Sequence, residues 1–146
     1  MVIITFEDNK VLIKQNIMTK IDPIIAVKNI KESALWYEKV FGWSNAHGGK
    51  NFAVLVDKGK TVMLCLHEWG THEHPTMADA TIVVGNGLIL YIKTDDLLMI
   101  RENIKKTALP IEQDIHLNLN ANKKEFSLRD LDGYYLIVSE LHEYKS

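Results

Sequence analysis

Residues 20–42, KIDPIIAVKNIKESALWYEKVFG, carry the reading that decides the fold. Ile21 to Val27 is rich in Ile and Val and short enough for a buried strand, which Lys28-Asn29 closes. Asn29 is a good helix N-cap, because its side-chain oxygen can accept from an unpaired amide, and Glu32 stands where it completes a capping box. Ile30, Ala34, Tyr37 and Phe41 then share one helical face, and Gly42 supplies the left-handed residue that ends the helix. A weaker echo, LILYIKTDDLLMIRENIKKTAL, follows Gly87: a strand from Leu88 to Lys93, a cap at Thr94 or Asp95, and a helix whose face is Leu97, Ile100, Ile104 and Ala108 before Pro110 stops it.

Each strand-helix unit is followed by three strand patterns. In the first half these are Trp43 to His47, Phe52 to Val56 and Thr61 to His67, separated by Gly48-Gly49-Lys50 and Asp57-Lys58-Gly59. In the second half, Ile111 to Leu119 alternates apolar with Glu112, Asp114, His116 and Asn118, and Lys124 to Arg129 and Tyr134 to Glu140 flank the turn Asp130-Leu131-Asp132-Gly133. Residues 68–86 carry Gly, Pro, Thr and charges and read as a linker, with an extended piece at Thr81 to Val84. Val2 to Phe6 and Val11 to Lys14, around Glu7-Asp8-Asn9-Lys10, read as a hairpin added in front. The expected class is α+β. Residues 1–19 form an N-terminal β-hairpin extension and residues 20–146 one domain, made of module one (20–67), the linker (68–86) and module two (87–142).

Composition narrows the function classes. With 146 residues, 47% apolar and 25% charged, the chain has the balance of a globular protein with a sizeable core. Its 17 Lys+Arg against 19 Asp+Glu leave a net charge of −2 and no broad basic field, so nucleic acid is not an expected partner. No apolar run approaches the ~20 residues of a membrane span, and the N-terminus, with acidic residues in its first eight positions, lacks the basic start and long apolar block of a secretory signal, so a cytoplasmic protein without a membrane partner is expected. Cys65 is the lone cysteine, which excludes an internal disulfide.

The motifs Val27-Lys28-Asn29-Ile30-Lys31-Glu32-Ser33, Ser33-Ala34-Leu35-Trp36-Tyr37 running into Phe41-Gly42, and Arg129-Asp130-Leu131-Asp132-Gly133-Tyr134 stand in an order and spacing that resembles the vicinal oxygen chelate superfamily. That superfamily includes glyoxalase I, bleomycin-resistance proteins, extradiol dioxygenases and fosfomycin-resistance enzymes. The resemblance spans Lys20 to Glu140. It implies paired βαβββ modules whose mixed sheets curl around a central cleft, and a homodimer. It also implies metal-ligand positions on the first and last strand of each module, which map onto Asp22, Leu64, Leu88 and Ile137. Three of these are aliphatic and offer no donor, so the resemblance points to its metal-free, bleomycin-resistance-like or glyoxalase-like branch, with no cofactor.

By strand alternation Ile24, Leu66, Leu90 and Tyr135 are expected to share the cleft face with those four positions, and Trp69 to stack on a ligand at the mouth. The same apolar face would also suit a filled core. The expected function is binding and sequestering of a small apolar or aromatic molecule. The alternative is a glyoxalase-like lyase, isomerase or transferase. It would use Asp22 or His116 as acid-base, or a divalent metal at His67, His72 and His74, since residues 67–75 pack three His and two Glu into a loop.

Overall fold

The computed structural model describes residues 2–7, 10–15, 20–71, 74–86 and 88–142, with side chains described from residue 20 onward. The hairpin is present: β1 (Val2–Glu7) pairs antiparallel with β2 (Lys10–Gln15) as a separate two-stranded sheet. Its turn residues Asp8 and Asn9 lie outside the described residues.

The two modules have the same order and the same topology. Module one is β3 (Ile24–Val27), α1 (Ile30–Phe41), β4 (Ser44–Asn45), β5 (Phe52–Val56) and β6 (Val62–Glu68). Module two is β7 (Leu90–Thr94), α2 (Leu97–Lys105), β8 (Ile111–Asn118), β9 (Lys123–Arg129) and β10 (Tyr135–Glu140). The sheets run β3-β6-β5-β4 and β7-β10-β9-β8, each with one parallel pair and two antiparallel pairs. The fold is therefore α+β, two repeated βαβββ modules with mixed, unclosed sheets. A short 3₁₀ turn, Pro75–Met77, occupies the linker, and Thr81 to Val84 forms turns rather than the expected extended piece.

Local chemistry sets the helix limits. Asn29 caps α1 by accepting from the Glu32 amide at 2.9 Å, and Gly42, at φ 75°, closes it on the Glu38 carbonyl. The second helix is capped by Asp96, which accepts from Met99 N at 3.1 Å, not by Thr94 or Asp95. The Thr94 hydroxyl instead accepts from the Asp96 amide at 3.0 Å, so the chain turns one residue later than expected. Ala108 lies beyond α2 and outside its buried face.

One core joins the modules. Ile25, Val27, Ala53, Leu55, Leu64 and Leu66 of the first sheet and Phe126, Leu128, Leu136 and Val138 of the second turn toward α1 and α2. Asn103 Nδ2 donates to the Val40 carbonyl at 3.0 Å, and Lys39 Nζ to the Lys106 carbonyl at 3.1 Å, tying the two helices together. The turn before β10 completes the joint. Buried Asp130 accepts from Tyr37 Oη at 2.7 Å and from the amides of Asp132 and Tyr134, both at 2.9 Å. Tyr134 Oη donates to the Ala26 carbonyl at 2.8 Å, and Asp132 Oδ1 accepts from Lys28 N at 2.9 Å. Burial pushes the Asp130 carboxyl up, against the pull of those donors, and burial together with the Asp130 charge raises the Tyr37 phenol well above its ordinary value. The motif residues 129–134 thus weld module two to module one.

Candidate cleft between the modules

Because successive strand residues face opposite ways, pairing register decides which side chains can meet a ligand. In the first sheet Ile24 pairs with Cys65 and Cys65 with Val54, and Ala26 pairs with His67 and His67 with Phe52, so these residues form the face turned away from the helices. Leu64 and Leu66 fall on the opposite, helix-packed face, which corrects the expectation that they share a side with Ile24. A bulge at Leu55/Val56, opposite Val62 and Leu64, shifts the strand by the single residue that inverts the two faces. In the second sheet Leu90 pairs with Leu136, whereas Ile137 pairs with Tyr91 and Ser127, and Tyr135 with Arg129. Leu90 therefore lies on the side opposite Tyr135 and Ile137, a second one-residue correction.

The register nevertheless leaves several of the expected residues around one opening. A cavity of about 470 Å³ lies between the modules, lined by Ile21, Pro23, Trp43, Met63 and Leu64 from the first and by residues 88–93 from the second. Leu64 of β6 meets Leu90 of edge strand β7 there, together with Leu88 just ahead of that strand. Trp43 is held by stacking on Tyr37 and Phe41, with ring centroids 5.6 and 4.8 Å away. Leu66 is fully buried in the core, and Asp22 is exposed ahead of β3. Trp69 lines a separate cavity of about 300 Å³ with Pro75, Ile82 and Tyr134.

The faces turned away from the helices differ in chemistry. Around Cys65 the first sheet is mostly apolar, and burial, then the charge of Asp22, raises the Cys65 thiol. On the second sheet Lys93, Ser139, Glu125 and His116 form one cross-strand row, and Tyr91, Ile137, Ser127 and Gln113 the next. Glu125 accepts from Asn118 Nδ2 at 3.1 Å and from Tyr91 Oη at 3.3 Å, and His116 Nε2 stands 3.7 Å from its other oxygen. Reading of the sequence singled out His116 but missed Tyr91 and Glu125. The signal for Glu125 was Lys-Glu-Phe-Ser-Leu at 124–128, where polar residues alternate with two buried apolar ones.

The metal that the fold suggests requires at least three converging N, O or S donors. Among the described residues no three His, Cys, Asp or Glu side chains are grouped in that way. Exposed Asp22 with Leu64, Leu88 and Ile137 does not make a donor set for a divalent cation. Of the loop histidines, His72 lies outside the described residues. The rings of His67 and His74 meet edge to face at 5.1 Å, and His67 Nδ1 lies 2.7 Å from the Glu68 carbonyl. No helix among the described residues is long and apolar enough to cross a membrane.

No family model and no curated protein matches the sequence. Solved structures do match the fold. An integron cassette protein from the mobile metagenome of V. cholerae superposes with a TM-score of 0.65 at 22% identity, over 88% of this chain and 100% of that one. A glyoxalase/bleomycin resistance protein/dioxygenase family enzyme from Burkholderia phytofirmans gives 0.68 at 14% identity, over 82% and 95%. A bleomycin-binding protein in complex with bleomycin gives 0.60 at 16% identity, over 86% and 100%.

Proposed function

We propose that this chain, which has the paired-module fold of the vicinal oxygen chelate superfamily, binds and sequesters a small apolar or aromatic molecule in the cleft between its modules. The observation that carries this reading is the cavity of about 470 Å³, whose walls are aliphatic and aromatic apart from the ends of Tyr91 and Lys93. That volume falls in the range of roughly 300–1,000 Å³ typical of small-molecule sites. Trp43 gives it a rigid planar wall. A structural neighbour binds bleomycin in a fold of this kind, which supports the binding role without naming the ligand here.

A nuclear magnetic resonance titration with 1-naphthalenemethanol tests the reading. Saturable shifts of the amides of residues 88–93 and of the Trp43 indole are expected, with the compound recovered unchanged. Ile89→Asp, at an exposed cavity-lining position, should abolish the shifts and keep the fold. Shifts elsewhere only, or conversion of the compound, would sink the sequestering role.

The chain's partner under this proposal is a second copy of itself. Edge strands β3 and β7 carry unpaired backbone groups, and beside them Ile21 (92% exposed), Ile24, Leu88 and Ile89 present apolar surface. Light scattering that gives a monomer mass at every concentration would refute the homodimer.

A further inference from the structure

We propose that the second sheet carries a recognition site for a basic nitrogen, an ammonium or related cation with at least two N–H hydrogens, held between Glu125 Oε1 and His116 Nε2. The starting point is an unmatched pair of acceptors. His116 Nδ1 lies 2.9 Å from the Asp114 carbonyl, which can only accept, so Nδ1 carries the imidazole proton. In the neutral ring Nε2 is then an acceptor, and it faces the carboxylate oxygen of Glu125 at 3.7 Å, beyond hydrogen-bond range. Two acceptors at that separation are satisfied by one donor that can give a hydrogen to each.

The carboxylate calls for that donor to be charged. Glu125 is 7% exposed, and among the described residues its hydrogen bonds come from the neutral donors Tyr91 and Asn118, both to Oε2. Among the described residues no lysine or arginine forms an ion pair with it. Lys93, in the same row beyond Ser139, donates to the His142 carbonyl at 3.0 Å, Arg129 pairs with Glu112 at 2.7 Å, and Arg101 pairs with Asp114 at 2.9 Å. A buried carboxylate held by neutral donors alone leaves its desolvation poorly offset, which a ligand cation corrects. A second observation points the same way: Ser127, two residues on and hence on the same face, is 3% exposed and its Oγ has no hydrogen-bond partner among the described residues. One carboxylate and one imidazole fall short of the ligand set of a resident metal, so a hydrogen-bonding cation fits better.

This inference deepens the proposed function by naming the ligand's polar group. Tyr91 lines the apolar cavity and its hydroxyl reaches Glu125, so an apolar body lying in the cavity has its nitrogen directed along Tyr91. The test uses n-butylammonium chloride against n-butanol, probes too small to depend on the cavity, followed through the amides of His116, Glu125 and Ser127. The ammonium should bind about tenfold tighter than the alcohol, as charge-assisted hydrogen bonds are about twice as strong as neutral ones. Glu125→Gln should bring both probes to the alcohol's affinity.

Half-exposed His116 gives a second variant that is safe for the fold, and His116→Ala should weaken the ammonium severalfold without affecting the alcohol. Equal affinity for the two probes, or a preference that survives in folded Glu125→Gln or in His116→Ala, overturns the site. If n-butylammonium fails while 1-naphthalenemethanol still binds, the nitrogen site is wrong and the cavity reading stands. If n-butylammonium binds as expected and 1-naphthalenemethanol does not, the nitrogen site stands without the cavity.

Discussion

The two sheets share topology but use the face turned away from the helices differently. Ile24, Ala26, Val54, Cys65 and Phe52 dominate it in the first module; Tyr91, Lys93, His116, Glu125, Ser127 and Ser139 dominate it in the second. The helix-packed faces show no such divergence, being Ile, Val, Leu and Ala in the first and Leu, Val and Phe126 in the second. The duplication therefore maintains two equivalent supports for stability, while chemistry is free to diverge on the opposite side. On this view, substitutions on the helix-packed faces should have matching effects in the two modules, and substitutions on the other faces should not.

The largest expected effects test the matching half of that contrast. Leu55→Ala and Leu136→Ala each empty a fully buried site beneath the helices, one in each module. Each should cost about 2–5 kcal/mol in urea denaturation, the range for Leu→Ala in a packed core. A loss confined to one module would show that the second sheet is not an equal support. Ile137→Ala, one residue along on the other face and only partly buried, should cost less than Leu136→Ala.

Next in size is the weld between the modules. Tyr37→Phe keeps the packing but leaves Asp130 Oδ2 without its 2.7 Å donor in a buried site, at a cost of about 1–3 kcal/mol. Tyr134→Phe removes a bond to a backbone carbonyl and should cost about 1 kcal/mol. If Tyr37→Phe leaves the denaturation midpoint unchanged, the carboxylate is not what joins the halves.

A smaller effect separates two serines on the face of the second sheet turned away from the helices. Ser127→Ala removes a hydroxyl with no partner among the described residues and should change stability by less than about 0.5 kcal/mol or increase it. The same substitution at Ser139, whose hydroxyl donates to the Glu140 carbonyl at 3.3 Å, should be measurably unfavourable. Equal losses at the two serines would mean that Ser127 has a partner after all, and would remove one support from the nitrogen site.

What was legible in the sequence follows the same division. The architecture could be read because helix periodicity, the Asn29 cap, Gly42 and the turn 130–133 are local signals that agree with one another. The site was only partly legible, because it depends on register, where one residue exchanges the two faces. Asp22 stands seven residues before its cap, Asn29; seven before the observed cap, Asp96, is Ile89, not Leu88. Thr94 and Asp95 are as competent to cap as Asp96, so sequence alone could not choose among three adjacent candidates. The Leu55/Val56 bulge had no signal in composition at all. Glu125 was hidden for another reason: its burial depends on Tyr91 and Asn118, which come from strands on either side of it.

The smallest expected effect concerns how each helix is tied to the edge strand of its own sheet. In module one Glu38 accepts from the Asn45 amide at 3.1 Å; in module two Arg101 grips Asp114 through two bonds of 2.9 and 3.1 Å. The guanidinium hydrogen bonds, then the Ile115 amide, hold the Asp114 carboxyl down at about 2, against an ordinary value of 3.8. A depressed folded-state value means that the folded form prefers the ionised carboxylate. Its contribution is therefore present above 3.8 and lost as pH falls through about 2. Asp114→Asn should lower the urea midpoint slightly near neutral pH, and the gap to the unmodified protein should close as pH approaches about 2. Because the pair is exposed, added salt should narrow the gap at neutral pH as well. A gap that ignores both acid and salt would mean that the tie acts through packing of the Arg101 stem, and that the two modules secure their edge strands in the same way.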